Sequence, residues 1–162
     1  MAFQTWRTMK IGTPDLRDAN SFRTALKAAG CLIHDWASDM LNQPSFTVSA
    51  TESEIELVRL TVRNLGFPNG ANREDIYARA MEQGLALCPP EVGPRLRMEY
   101  KDQPNGEWLL VAMEPIYISG GRLGVWRVAQ RGRGLWLSGL SGRPGRFWNA
   151  GYSWVFVRRK PS

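Results

Sequence analysis

From Leu85 to the C-terminus the chain is a series of short apolar or alternating runs, each broken by glycine, proline or asparagine. Runs of that length are too short for helices and match strands joined by turns, so the second half has to be built as a sheet. Leu96, Met98 and Tyr100 alternate with Arg97 and Glu99, the pattern of a half-buried strand. Residues 102–106 are turn chemistry, and 108–113 form the next strand. Gly120-Gly121 suits a tight turn between strands at 116–118 and 123–128. Strands at 135–137 and 154–158 complete an antiparallel set. The glycine-rich stretch 132–145 is expected to be the least ordered, although Trp136 within it argues against a free tail.

The first half mixes the two periods. Residues 3–11 are rich in β-branched and aromatic side chains and predict a strand, which Gly12-Thr13-Pro14 ends. Phe22, Ala25, Leu26, Ala29, Ile33, Trp36, Ala37 and Met40 then recur at helical intervals. Gly30 caps a first helix, a second runs from about His34 to Asn42, and Pro44 closes the unit. Two helices around a glycine have the outline of a helix-turn-helix. The second one would display Asp35 and Asp39, which phosphates repel, and it lacks an Arg/Asn/Gln face for reading bases. A helical hairpin packed on a sheet is the better reading.

Residues 46–50 and 55–62 predict strands. Asn72 opens a short helix in which Asn72 and Asp75 form a capping pair and Glu74 and Asp75 suit the helix dipole. Ile76, Tyr77, Ala80 and Met81 make its apolar face, and Gly84 ends it. The fold class is α+β: two or three short helices on a mostly antiparallel sheet, with a β-rich C-terminal half. At 162 residues, 43% hydrophobic and 22% charged, residues 1–162 are expected to form one domain whose core needs no staples. Cys31 and Cys88 could bridge in an oxidising compartment, but the expectation is two buried free thiols. MAFQTWRTMK has no apolar signal region, and no run approaches the roughly 18 apolar residues of a membrane span. A cytoplasmic location follows as the expectation.

The formal charge of +6 conceals a division. Residues 1–114 carry twelve Lys/Arg and all fifteen Asp/Glu, a net −3, while 115–162 carry nine Lys/Arg and no acid, a net +9. A concentration of one sign attracts anions, provided that the cations are not dispersed around the surface.

Several chemistries lack their residues. With one histidine and no cysteines at ligand spacing, the common zinc sites cannot be assembled, and no Asp-rich calcium loop is present. Nucleophilic catalysis would need His34 as its base, but the adjacent Asp35 points about 100° away on a helix and cannot orient it. Nothing near Cys88 in sequence would lower its pKa. Residues 120–124 and Arg131-Gly132-Arg133-Gly134 lack the lysine and hydroxyl of a phosphate loop and read as hairpin turns, so no cofactor is implied. Glu114, after an apolar strand and before Pro115, and Glu99 are the candidate general bases.

The remaining signal is basic and aromatic. Tyr100, Trp108, Trp126, Arg127, Trp136 and Trp148 are the candidate ligand-binding residues, and Arg131, Arg133, Arg143, Arg146, Arg158 and Arg159 the candidate nucleic-acid contacts. Single-stranded nucleic acid takes that mixture, cations on its phosphates and rings under its bases. The same residues fit a plainer scheme, with tryptophans in a sheet core and arginines on its solvated face.

SFRTALKAAGCLIHDWASDML, FTVSA and ANREDIYARAMEQGLALCPPEVGPRLRMEYKDQPNGEWLLVAMEPI together resemble an uncharacterised family of small bacterial proteins found in mobile gene cassettes, including integron cassettes. The likeness spans roughly residues 3–118 and is most specific at EVGPRLRMEY and at the W-x-x-x-A-M-E-P-I segment beginning at Trp108. It implies a bacterial cytoplasmic accessory protein and transfers no catalytic residues. The sequence thus favours a non-enzymatic binding or interaction module with a basic-aromatic surface in residues 115–162. The alternatives are a binder of single-stranded nucleic acid or another polyanion, and a small metal-independent enzyme with a glutamate base. The partner expected is a protein, an anionic ligand or nucleic acid, and no membrane.

Overall fold

A computed structural model describes residues 3–160, in which four α-helices and eleven strands form. The first half contributes β1 (Arg7–Ile11), α1 (Ala19–Ala28), β2 (Leu32–Ile33), α2 (Asp35–Leu41), β3 (Ser53–Thr61), β4 (Ala71–Asn72) and α3 (Arg73–Glu82). The second contributes β5 (Leu85–Ala86), α4 (Val92–Glu99), β6 (Trp108–Val111), β7 (Ile116–Tyr117), β8 (Leu123–Arg131), β9 (Gly134–Ser141), β10 (Phe147–Trp148) and β11 (Ser153–Arg158). The large sheet runs β1-β3-β11-β6-β8-β9-β2, with β5 on β11 and β7 on β8, and β4 pairs β10 separately. Its pairs are antiparallel except β6 with β11 and β2 with β9. The fold is α+β with a mostly antiparallel sheet.

The helix ends follow local chemistry. Asp18 caps α1 by accepting from the Ser21 amide at 2.8 Å, and Asn72 caps α3 by accepting from the Asp75 amide at 2.9 Å. Gly30 and Gly84 follow α1 and α3 with positive φ, as helix-terminating glycines do. His34 is the cap of α2, its Nδ1 accepting from the Trp36 amide at 3.4 Å.

Three expectations are corrected. Residues 96–100 are not a strand: α4 runs through them and supplies the fourth helix. Val92 to Arg97 are all buried, so burial there does not follow polarity and the alternation carries no information. Residues 46–50 pair with no strand, and the Ser49 amide donates instead to the Glu91 carboxylate at 2.7 Å. The stretch 132–145 is not loose, since β9 pairs with β8 at eight positions, from Arg131↔Gly134 to Gly124↔Ser141. The two-residue turn between them has φ of 56° at Gly132 and 66° at Arg133, the mirror-image geometry that matches strand twist.

Side chains alternate across a sheet, so the register sorts β8 into two sets. Gly124, Trp126 and Val128 face the helices: a Cβ on Gly93 of α4 would lie 2.3 Å from the Trp126 ring, and one on Gly124 2.8 Å from Met40 Sδ of α2. Arg127, Ala129 and Arg131 share the opposite face with Trp108 and Leu110 of β6 and with Trp136 and Ser138 of β9. At the β11 end of that face, Trp154 and Phe156 pack against Tyr77 of α3. One contiguous cluster of buried apolar residues joins the elements. No helix among the described residues is long and apolar enough to cross a membrane.

Candidate functional site

The register aligns Trp108, Ala129 and Trp136 in one row across β6, β8 and β9. The two indoles therefore stand on one face with an alanine between them, their Cα atoms about 10 Å apart at ordinary strand spacing. Both are partly exposed, whereas Ala129 is buried. Leu110, Arg127 and Ser138 form the next row, and Arg131 stands on the other side, opposite Gly134. The guanidinium of Arg127 lies 5.4 Å from the Trp108 ring, and that of Arg131 lies 5.7 Å from the Trp136 ring. Each guanidinium thus lies within cation–π range of its ring, and both rings keep part of their surface exposed.

The charges on this face are not neutralised. Neither Arg127 nor Arg131 forms an ion pair among the described residues, and the Arg127 Nε is buried without a hydrogen-bond partner. Burial lowers the Arg127 pKa from its ordinary value, and the neighbouring Arg131 lowers it further. Two neighbouring like charges and an unpartnered buried donor thus share this face.

Trp108 separates two depressions. One, of about 160 Å³, lies among Trp108, Arg127, Gln130, Arg131 and Glu107. The other, of about 410 Å³, lies among Trp108, Asn149, Tyr152, Ser153 and Glu107. Tyr152 packs against Trp108, with ring centroids 4.9 Å apart and the planes tilted by 53°. The acid they share is already engaged: Glu107 pairs with Arg59 and accepts from the Tyr100 hydroxyl at 2.7 Å. The positive field of Arg127 and Arg131 is therefore opposed by little free negative charge.

Of the aromatic candidates only Trp108 and Trp136 occupy this face, with Arg127 beside them. Trp126 is fully buried beneath α4, where its Nε1 donates to the Pro90 carbonyl at 2.8 Å. Trp148 is also fully buried, in edge contact with Tyr152 and Trp154. Tyr100 is buried against Trp6, and its hydroxyl pKa is raised by burial and by the hydrogen bond to Glu107. These three are core residues. Placing them on the binding surface is corrected by burial, because aromatic identity alone cannot tell a core ring from an exposed one.

The arginine candidates form separate groups. Arg131 and Arg133 are at the tip of the β8–β9 hairpin, while Arg143 follows its far end, roughly 24 Å away along the strands. Arg146 lies over the buried Trp148 at 4.1 Å. Arg158 is paired with Glu56 at 3.7 Å and bonded to Thr5, and Arg159 donates to the Met81 carbonyl at 3.3 Å. The nine cations thus do not make one patch.

Glu114 is exposed and lines none of the cavities described above. Glu99, at the exposed C-terminal end of α4, has its carboxyl pKa raised by desolvation, against the pull of Arg7 and Arg95. Neither residue lines any of four depressions on the surface. Among the described residues, no three of His, Cys, Asp and Glu gather as a metal site would require. Gln130, Tyr152 and Glu107 were not legible as site residues. The only signal for them was their position beside Trp108 and Arg127 in the pairing. No protein-family model matches this chain, and neither a curated protein nor a solved structure matches it.

Proposed function

We propose that this chain is a non-enzymatic binding module that takes single-stranded nucleic acid on the face formed by Trp108, Arg127, Arg131 and Trp136. The observation that carries the reading is the row of two partly exposed tryptophans across a buried alanine, flanked by arginines that form no ion pair among the described residues. Bases stack on indoles whatever their sequence, and each stack contributes about 1–3 kcal/mol. Arg127 and Arg131, beside Trp108 and Trp136, would supply the cations for phosphates linking bases stacked on those rings. The strands hold this geometry rigidly, so little ordering cost falls on the protein.

The test is fluorescence anisotropy with a labelled thymidine dodecamer over a salt series. Affinity is expected to fall linearly in log–log form as salt rises. Trp136→Ala should weaken binding roughly tenfold or more, as loss of one stack implies. Absence of binding at low salt, or binding indifferent to both Trp136→Ala and Arg131→Ala, would refute the reading. The resemblance of residues 3–118 to cassette-borne bacterial proteins supports extending the proposal to a cytoplasmic accessory protein of that kind.

A further inference from the structure

The far end of the β8–β9 hairpin carries a different site. An open groove of about 580 Å³ lies there, walled by Trp36 of α2, Tyr117 of β7, Leu123 of β8 and Pro144. Its depth has a cause in the sequence. Gly124 and Gly139, on adjacent strands, both face α2. A Cβ on either would lie 2.8 Å from Met40 Sδ, and one on Gly139 would also lie 3.1 Å from the Trp36 Cβ. The two glycines let the helix settle close to the sheet, which sets Trp36 at the groove wall. Tyr117 stands at the mouth with 67% of its surface exposed, an unusual position for a large ring with nothing to cover it.

The polar end of the groove is cationic. Arg122 and Arg143 line it, and no carboxylate does. Neither arginine forms an ion pair among the described residues. The Arg122 guanidinium is held 4.8 Å from the Trp36 ring, so its donors are ordered in advance. The nearby Asp39 forms no ion pair with either arginine among the described residues, its carboxylate accepting instead from the amide and hydroxyl of Ser119 and from the side chain of Gln43. Ser141 adds one hydroxyl to the lining. Clefts of this volume, apolar with a few placed polar groups, are the form that small-molecule sites take.

We propose that this groove binds a small hydrophobic carboxylate. Its ring or chain lies between Trp36, Tyr117, Leu123 and Pro144, and its carboxylate is held by Arg122 and Arg143. A polyanion fits less well, since the apolar walls would strand its further charges. The site is independent of the nucleic-acid face: the two share no residue and lie at opposite ends of β8 and β9.

Isothermal titration of the full chain with 2-naphthoate, decanoate and the uncharged 2-naphthamide tests it. The two carboxylates should bind, and the amide should bind about tenfold more weakly or worse, as loss of a charge-assisted contact predicts. Arg122→Ala and Arg143→Ala should each weaken 2-naphthoate by about the same factor. Trp136→Ala should leave it unchanged. Thermal unfolding of each variant separates lost binding from lost folding. No carboxylate binding at concentrations up to about 5 mM, equal binding of the amide, or full binding by a folded double-arginine variant would each overturn the proposal.

Discussion

The Arg95 Nε lies 2.7 Å from Glu91 Oε1, one helical turn apart, with the glutamate side chain wholly buried and the arginine nearly so. The same carboxylate receives the Gly12 amide at 2.9 Å and the Ser49 amide at 2.7 Å, and Arg95 also donates to Thr13 Oγ1 at 2.8 Å. One side chain thereby ties the end of β1 and the unpaired segment 46–50 to α4. Glu91→Ala would leave a buried guanidinium and two amides without their acceptor. The expected loss is about 3–5 kcal/mol, the ordinary result of removing one partner of a buried pair. Denaturant unfolding measures it, and a loss under about 1 kcal/mol would mean that water replaces the carboxylate.

Gly93→Ala should destabilise although alanine is the better helix former by about 1 kcal/mol. The added Cβ would fall 2.3 Å from two atoms of the Trp126 ring, which is itself fully buried and cannot retreat. Overpacking of that kind costs about 1–3 kcal/mol or more, so packing outweighs propensity here. A rise in the unfolding midpoint would show that α4 can shift away from the sheet.

The sequence pointed to α1, α2, α3 and the hairpin turns because their signals are local: Asn72 caps, Gly30 and Gly84 terminate, and Gly120-Gly121 turns. It misled at α4 because both its arginines are inside. Arg97 is fully buried, donating to Gln103 Oε1 and the Ala129 carbonyl at 2.7 Å each and to the Tyr100 carbonyl. A pattern that counts arginine as outward cannot anticipate such partners, which come from a loop and from β8. Val92, Leu96 and Tyr100, spaced by four, were the helical signal that the alternation obscured.

The candidate site was half legible for a related reason. That residues 123–128 form a strand could be read from alternation, but the alignment of Trp108 with Ala129 and Trp136 depends on register, which no single strand contains. Trp126 and Trp136 look alike in sequence. One lies on the helix-covered face and the other on the open one, and only the pairing assigns them.

Both cysteines are buried free thiols, and burial raises both pKa values, strongly for Cys88, whose Sγ–H points to the Val155 carbonyl at 3.4 Å. The folded state therefore keeps protons that the unfolded state loses above about pH 8.5. The thiols' contribution should be level below that pH and make stability fall as pH rises through 9 and 10, with Tyr77 acting in the same direction at its upper end. Unfolding measured across this range in wild type and Cys88→Ala checks it. The slope should be shallower in the variant, and identical slopes would remove Cys88 as a contributor. Thiol-specific labelling at pH 8 should likewise be slow until denaturant is added, because the thiolate is the reactive form.

Arg133 links stability to the proposed function. Among the described residues it is the one non-glycine with positive φ, at 66°, in the second position of the turn between β8 and β9. Glycine adopts that conformation without strain, and an L side chain does so at a cost of about 1–2 kcal/mol. Arg133→Gly should therefore stabilise the fold, by up to about 1 kcal/mol after the entropy that glycine adds to the unfolded chain. The arginine is exposed and makes no ion pair among the described residues, so folding gains nothing visible from it. Under the proposed function, its place beside Arg131 at the tip of the hairpin would make it a phosphate contact, set against the cost of its turn geometry. The variant should then unfold at a higher temperature, bind the thymidine dodecamer more weakly, and show a log–log salt slope reduced by about 0.7, the share of one contact to a single strand. Higher stability with unchanged binding and slope would leave Arg133 outside the interface.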